Sequence, residues 1–241
     1  MTAVVRYTHL LPHQFRTRLT ACPVAYLPLG TLEWHGEHMA LGTDALIAEG
    51  VFVEAATQYG GIVMPPLFLG PDRIRPHADG YLVGMEYADS TTPPRQLDGG
   101  CYWIPEGLFV MMLEHIVAQV ARSGFRVLVA DGHGPSRRVW AQHAPQWQIQ
   151  YGIRLVSVTN DIPSGWQSQM DHAAQNETSL MQALHPQLVD VTQLGSDRAV
   201  YPQGVGGVDP RDASATLGHA YIAQSVALLV AHLRQLAELA S

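Results

Sequence analysis

Cysteine is nearly absent. The 241 residues hold two, Cys22 and Cys101, too few for a disulfide framework and not in the close spacing of a thiolate metal site or a redox pair. Both are expected to be ordinary buried or half-buried thiols. Positive charge is also scarce: 14 Lys and Arg face 21 Asp and Glu, for a formal charge of −7. That balance argues against the basic stripe that displaces counterions from nucleic acid. No stretch approaches the roughly 20 apolar residues of a membrane helix, and the first segment, "MTAVVRYTHLLPHQFRTRL", has no long apolar run. The expectation is a soluble, cytoplasmic protein with neither nucleic acid nor membrane as partner. Internal repeats and low-complexity linkers are missing, and so is a Gly-x-Ser-x-Gly elbow, which leaves a serine hydrolase without support.

What is present is apolar residue in quantity, 47% against 15% charged, enough to build a sizeable core in one globular domain over 1–241. "VAYLPLG" (24–30) and "GIVMPP" (61–66) read as strands around a helix that Thr43 and Asp44 start and Gly60 and Gly61 stop. "EGLFVMMLEHIVAQVARSG" is a second amphipathic helix, and it feeds "FRVLVADGHG", an uninterrupted apolar strand running into a glycine turn. Such a strand is buried on both faces, as in a parallel sheet covered by helices. A helix over "SRRVWAQHAPQW", a strand at "IRLVSVTN", a helix around "ETSLMQALHP" and a last helix over "HAYIAQSVALLVAHLRQLAEL" continue the alternation. The fold class is therefore α/β, a mostly parallel central sheet flanked by helices in three layers. Residues 71–105 follow neither period and are rich in Gly, Pro and Asp. An insert of this length is usually a functional lid, a binding element or a small hairpin, and here it is expected to line the pocket.

Twelve histidines are many for this length, and several stand beside acids. "LPLGTLEWHGEHMALGTD" places Glu33, His35, Glu37, His38 and Asp44 directly after an apolar strand, where unpaired charge is costly unless it is solvated or meets a cation. In parallel α/β sheets, working groups collect in the loops beyond the carboxyl ends of strands. Glu33 and His35, Asp44, and His133 after the strand "RVLVAD" all fall at that end. Residues i and i+2 of an extended segment share a side, so Glu33 and His35 enter one pocket while Trp34 points away. Carboxylate and imidazole together suit zinc, manganese or iron, and a shared Asp44 can bridge two ions. Taken alone, Asp44 would be a helix N-cap. Glu37 and His38 are expected behind the ligands or facing solvent.

Four segments in order resemble the creatininase (creatinine amidohydrolase) family: "LPLGTLEWHGEHMALGTDALIAEG", "VLVADGHGPS", "DHAAQNETSLMQALHP" and "GVGGVDPRDASATLGHA". The resemblance implies a dinuclear metal hydrolase, assembled into homo-oligomers, usually hexamers. It assigns Glu33, His35, Asp44 and His133 as ligands of two divalent ions (Zn, Mn or Fe), with Asp44 bridging. The family's creatininase carries a further glutamate ligand two residues after the turn histidine. This chain has Pro135 there, and Glu177 is expected to complete the set. His172 matches a family histidine assigned to substrate binding or proton transfer, and His172 or Glu177 is the expected catalytic proton shuttle. Trp34, Glu37, Met39, Ala40 and Asp131 also depart from the family pattern, and "IRPHADGYLVGMEYADS" replaces its His-x-x-Phe-Pro-Gly-Thr run. That last region is expected to line the substrate pocket, so creatinine itself is not the expected substrate.

The function implied is water activation by the metal pair for attack on a carbonyl, most simply opening or cleaving a cyclic or small amide at its C–N bond. One alternative is ring-opening C–C hydrolysis of a keto-inositol or keto-sugar; another is a non-catalytic metal-binding member. Trp34, Arg73, His77, Tyr81 and Trp103, with Arg75 and Asp79 beside them in the insert, are the residues expected to meet a small-molecule substrate.

Overall fold

The computed structural model describes residues 4–78, 80–162 and 164–239; Asp79 lies outside them. In chain order the elements are α1 (Pro12–Ala21), β1 (Val24–Leu29), α2 (Thr43–Gln58), β2 (Ile62–Val63), β3 (Ile74–His77), β4 (Gly80–Val83), α3 (Glu106–Arg122), β5 (Val127–Gly132), α4 (Gly134–Tyr151), β6 (Arg154–Ser157), α5 (Val158–Asp161), α6 (Gln175–Leu184) and α7 (Ala215–Leu239). Four strands pair in the order β2-β1-β5-β6, every pair parallel. All six residues of β1 are buried, which is why it reads as continuous apolar sequence.

Alternation along β1 splits the core in two. Val24 and Tyr26 join Ile47, Val51 and Phe52 of α2, Leu180 and Met181 of α6, and the Ile222, Val226 and Leu229 seam of α7. Ala25, Leu27 and Leu29 join Phe109, Leu113 and Val117 of α3 and Val139, Trp140 and Trp147 of α4. The result is three layers, as the sequence pattern implies.

Several local differences have physical causes. The helix α1 was not expected, because its residues bury none of their number fully and show no clear period. The strand at 61–66 shrinks to two residues, although Leu67 still bridges Leu29 and Gly70 bridges Trp103. Within the insert, β3 and β4 form an antiparallel hairpin whose first strand is wholly exposed. Cys22 is half-buried, but Cys101 is exposed. By length and composition α7 could cross a membrane, against the expectation from apolar runs. It nevertheless turns Gly218, Ile222, Val226, Leu229 and Leu233 into the core.

One glycine positions the functional end. Gly132 closes β5 with φ +147°, and a Cβ there would strike Leu29 O. The two central strands can therefore end side by side, and His133 N donates to Leu29 O at 3.0 Å.

Trp140 is fully buried between α4 and the sheet, and its indole donates to Val156 O at 2.9 Å. Trp140→Ala should lower the stability by roughly 3–5 kcal/mol, the usual cost of a large aromatic cavity, read as a lower urea midpoint with unchanged slope.

Candidate metal centre

The loops after β1, β2 and β5, and the starts of α2 and α6, meet at the carboxyl edge of the sheet. They bring Glu33, His35, Asp44, His133, His172 and Glu177 into one cluster. Asp44 is not a helix cap: Gly42 holds that position, and the Asp44 carboxylate turns inward. Asp171 has the capping work at α6 instead, accepting from Asn176 N at 2.7 Å and Glu177 N at 3.1 Å.

Three histidines share one arrangement. Each presents one ring nitrogen to a backbone carbonyl: His35 Nδ1 to Glu33 O at 3.1 Å, His133 Nε2 to Pro71 O at 3.0 Å, and His172 Nε2 to Trp34 O at 2.8 Å. A carbonyl only accepts, so each of these nitrogens carries a proton. The other nitrogen of each ring faces carboxylates. His35 Nε2 lies 3.4 Å from Asp44 Oδ1 and 3.6 Å from Glu177 Oε2. His133 Nδ1 lies 3.0 Å from Glu33 Oε1 and 3.1 Å from Asp44 Oδ2. His172 Nδ1 is 3.8 Å from Glu33 Oε1, and its ring stacks on His35 with centroids 4.5 Å apart. Asp44 thus spans the cluster, one oxygen toward each half.

A neutral imidazole lone pair facing carboxylates is repulsive unless a cation lies between them. Protons take that place when nothing else does. Burial disfavours a charged His35, yet Asp44, Glu177 and Glu33 raise its pKa to about 10. Burial acts the same way on His133, and Glu33 and Asp44 again win, raising it well above the imidazole range. Burial pushes Glu33 up to about 7 and Glu177 well above the carboxylate range. Burial also opposes ionisation of Asp44, but His35 and His133 hold it well below that range. His172 goes the other way, lowered to about 3 by burial and by the His35 charge. It is therefore neutral at physiological pH, with Nδ1 unprotonated.

The donor set fits a metal ion. His35 Nε2 is fully buried and has no hydrogen-bond partner. His35, Asp44 and Glu177 each bring one ligand atom to within 4.8 Å of the others; so do Glu33, His35 and His172, and so do Glu33, Asp72 and His133.

A cleft of about 190 Å³ opens onto the cluster, walled by Arg73, Met85, Pro135, Gln169 and Asp171 among others. Of the residues expected to meet substrate, Arg73 lines this cleft. Trp34 and Trp103 line a narrow crevice beside it. The Trp34 indole donates to Gln203 O at 2.9 Å. His77 and Tyr81 sit on the exposed hairpin, outside both walls, with Tyr81 packed edge-on against Trp103. Glu37 is exposed. His38 is buried, its Nε2 2.9 Å from Thr178 Oγ1, and burial lowers its pKa to about 4. The sequence reading passed over Asp72, Gln169 and Asp171. Asp72 left no clear signal, because it lies beyond a strand of only two residues continued by isolated bridges.

A buried ion pair braces the cleft wall. Asp131 Oδ1 lies 2.5 Å from Arg137 Nε, and Asp131 Oδ2 accepts from the Trp166 indole at 3.0 Å. Arg137 also donates to Ser168 O at 3.1 Å and to Gln169 O at 3.4 Å, fixing the segment that leads to His172. Arg137→Met should cost about 3–5 kcal/mol, because it strands a buried carboxylate. Asp131→Asn should cost less, since it removes the buried charge and keeps a partner for Trp166. Urea unfolding of both variants checks the order.

The family model described as creatinine amidohydrolase (creatininase) matches residues 8–233. A creatinine amidohydrolase of Pseudomonas putida is 28% identical over 192 residues, 71% of this chain and 68% of the relative. A mycofactocin precursor peptide peptidase of Mycobacterium ulcerans (strain Agy99) is 28% identical over 222 residues, 85% and 82% of the two chains. Among solved structures, a creatinine amidohydrolase (creatininase) superposes with TM-score 0.71 at 22% identity, covering 96% of this chain and 97% of that one. A manganese form of creatininase gives TM-score 0.70 at 23% identity, covering 97% and 98%. A creatininase variant of Zn-Zn type gives 0.70 at 22%, with the same coverage. These likenesses establish the three-layer fold, and the family match, spanning nearly the whole sequence, places this chain in the creatininase family.

Proposed function

We propose that the protein is a metal-dependent hydrolase that cleaves a C–N bond in a small or cyclic amide. In this reading His35, Asp44 and Glu177 hold one divalent ion, Glu33 and His133 hold a second, and Asp44 serves both. The observation that carries it is the inward nitrogens of His35 and His133, each pressed against two carboxylates with its outer nitrogen tied to a carbonyl. A metal-binding histidine usually has its other ring nitrogen held in this way, which fixes the tautomer and the ring's orientation. Zinc and manganese are favoured by the donor set and by the related creatininase structures, one a manganese form and one of Zn-Zn type.

Bound there, such ions bring a water's pKa toward about 7 and polarise a carbonyl oxygen. The chain's own residues do the rest. His172 is neutral, is held by Trp34 O, and offers Nδ1 to the cleft, so it can take the proton from the attacking water and hand it to the leaving nitrogen. Arg73 stands exposed at the cleft wall, a cation suited to a polar or anionic end of a substrate. Both curated relatives are named for amide chemistry, an amidohydrolase and a peptidase, which favours C–N over C–C cleavage. The poised His172 favours an enzyme over a non-catalytic binder.

Purified protein should carry about two divalent ions per chain by elemental analysis, and a chelator should lower its melting temperature, because an ion bound only by the folded state stabilises it. Asp44→Asn should lose metal from both halves. A metal-free wild type whose melting is indifferent to zinc and manganese would overturn the reading. His172→Gln should keep its metal yet slow hydrolysis by about 100-fold or more, within the range of a lost general acid–base. The assay is mass gain of water on a panel of cyclic amides, short peptides and keto-polyols; turnover of keto-polyols alone would reassign the bond cleaved.

A further inference from the structure

We propose that Asp72 is a metal ligand, supplying the Glu33–His133 half of the centre with a carboxylate from the loop after β2; the inference rests on the two-ion reading above. Each half otherwise has three side-chain donors, His35, Asp44 and Glu177 in one and Glu33, His133 and the bridging Asp44 in the other; Asp72 would give the second half a fourth. Pro135, two residues beyond His133, lines the cleft and offers no ligand atom.

Asp72 stands in the right place to add that fourth donor. It brings a carboxylate oxygen to within 4.8 Å of ligand atoms on both Glu33 and His133. Ligands about 2.0–2.2 Å from one ion are at most about 4.4 Å apart, so a small inward movement completes the set. The loop is already anchored to the ring it would serve, because Pro71 O accepts from His133 Nε2 at 3.0 Å. Asp72 Oδ1 accepts from Arg73 N at 2.6 Å, while Oδ2 has no hydrogen-bond donor among the described residues. A glycine makes room for Oδ2: Gly84 has φ +55°, and a Cβ built there would collide with it. The cluster that Asp72 joins through Glu33 also contains the fully buried, unpartnered His35 Nε2, an atom that itself calls for an ion.

The alternative is that Asp72 merely caps its own turn through Arg73 N. Stripped full-length protein titrated with Mn²⁺ separates the two, read by bound metal and by the electron paramagnetic resonance spectrum. Wild type should bind two ions per chain and show a spin-coupled pair. Asp72→Asn, which keeps the side-chain shape, should bind the second ion at least tenfold more weakly and show the spectrum of an isolated ion. Gly84→Ala, whose methyl occupies the space of Oδ2, should shift both readouts the same way and decides the matter if Asp72→Asn does not fold. Glu37→Gln, on the exposed side of the same region, should match wild type. Two ions at wild-type affinity with an intact coupled spectrum in Asp72→Asn would overturn the proposal and leave the two-ion centre standing. Failure of wild type itself to bind two ions would overturn both.

Discussion

Everything at the functional end of this protein depends on how buried negative charge is balanced. Glu33, Asp44 and Glu177 lie together with little or no access to water, and burying them unpaired would cost several kcal/mol each. Among the described residues no Arg forms an ion pair with them. The chain supplies three imidazoles instead, each fixed from behind by a backbone carbonyl. His35 and His133 can balance the acids as protonated cations, or step back to neutrality and share a metal with them, while His172 stays neutral. The site is thus organised around a charge that the side chains by themselves provide only by holding protons.

The fold supplies that arrangement by converging strand ends. A fully parallel sheet sends all its carboxyl termini to one edge, and the helices of the two covering layers start there. Gly132 lets β1 and β5 finish in contact, which sets His133 against the loop that bears Glu33. The Asp131–Arg137 pair then carries the order outward, tying the end of β5 and the start of α4 to the segment before His172. Core packing and site geometry meet at this point, because both layers bear on the same strand termini.

Much of this was legible in the sequence, for reasons that differ by residue. The strands β1 and β5 showed as unbroken apolar runs because both faces are buried. Glu33, His35, Asp44 and His133 showed because ionisable groups rarely follow such strands without a purpose. Asp44 was ambiguous between cap and inward-facing acid, and only the position of Gly42 at the helix start resolves it. The hairpin β3–β4 and the exposed places of His77 and Tyr81 were hidden, since a strand with no buried face leaves no period to read. Asp72 was hidden for another reason: it follows a two-residue strand whose continuation is made of isolated bridges, so the sheet edge at that point was not visible. The Asp131–Arg137 contact depends on helical spacing across a turn, and neither residue advertises the other.

The supports behind His35, His133 and His172 are main-chain oxygens of Glu33, Pro71 and Trp34. A substitution at position 34 or 71 changes the side chain and leaves the carbonyl in place. The orientation of the rings is thereby insulated from drift at those positions. The Trp34 side chain can therefore shape the crevice beside the cleft while its own carbonyl goes on holding His172. The architecture separates what can diversify from what must persist, and it does so within a single residue.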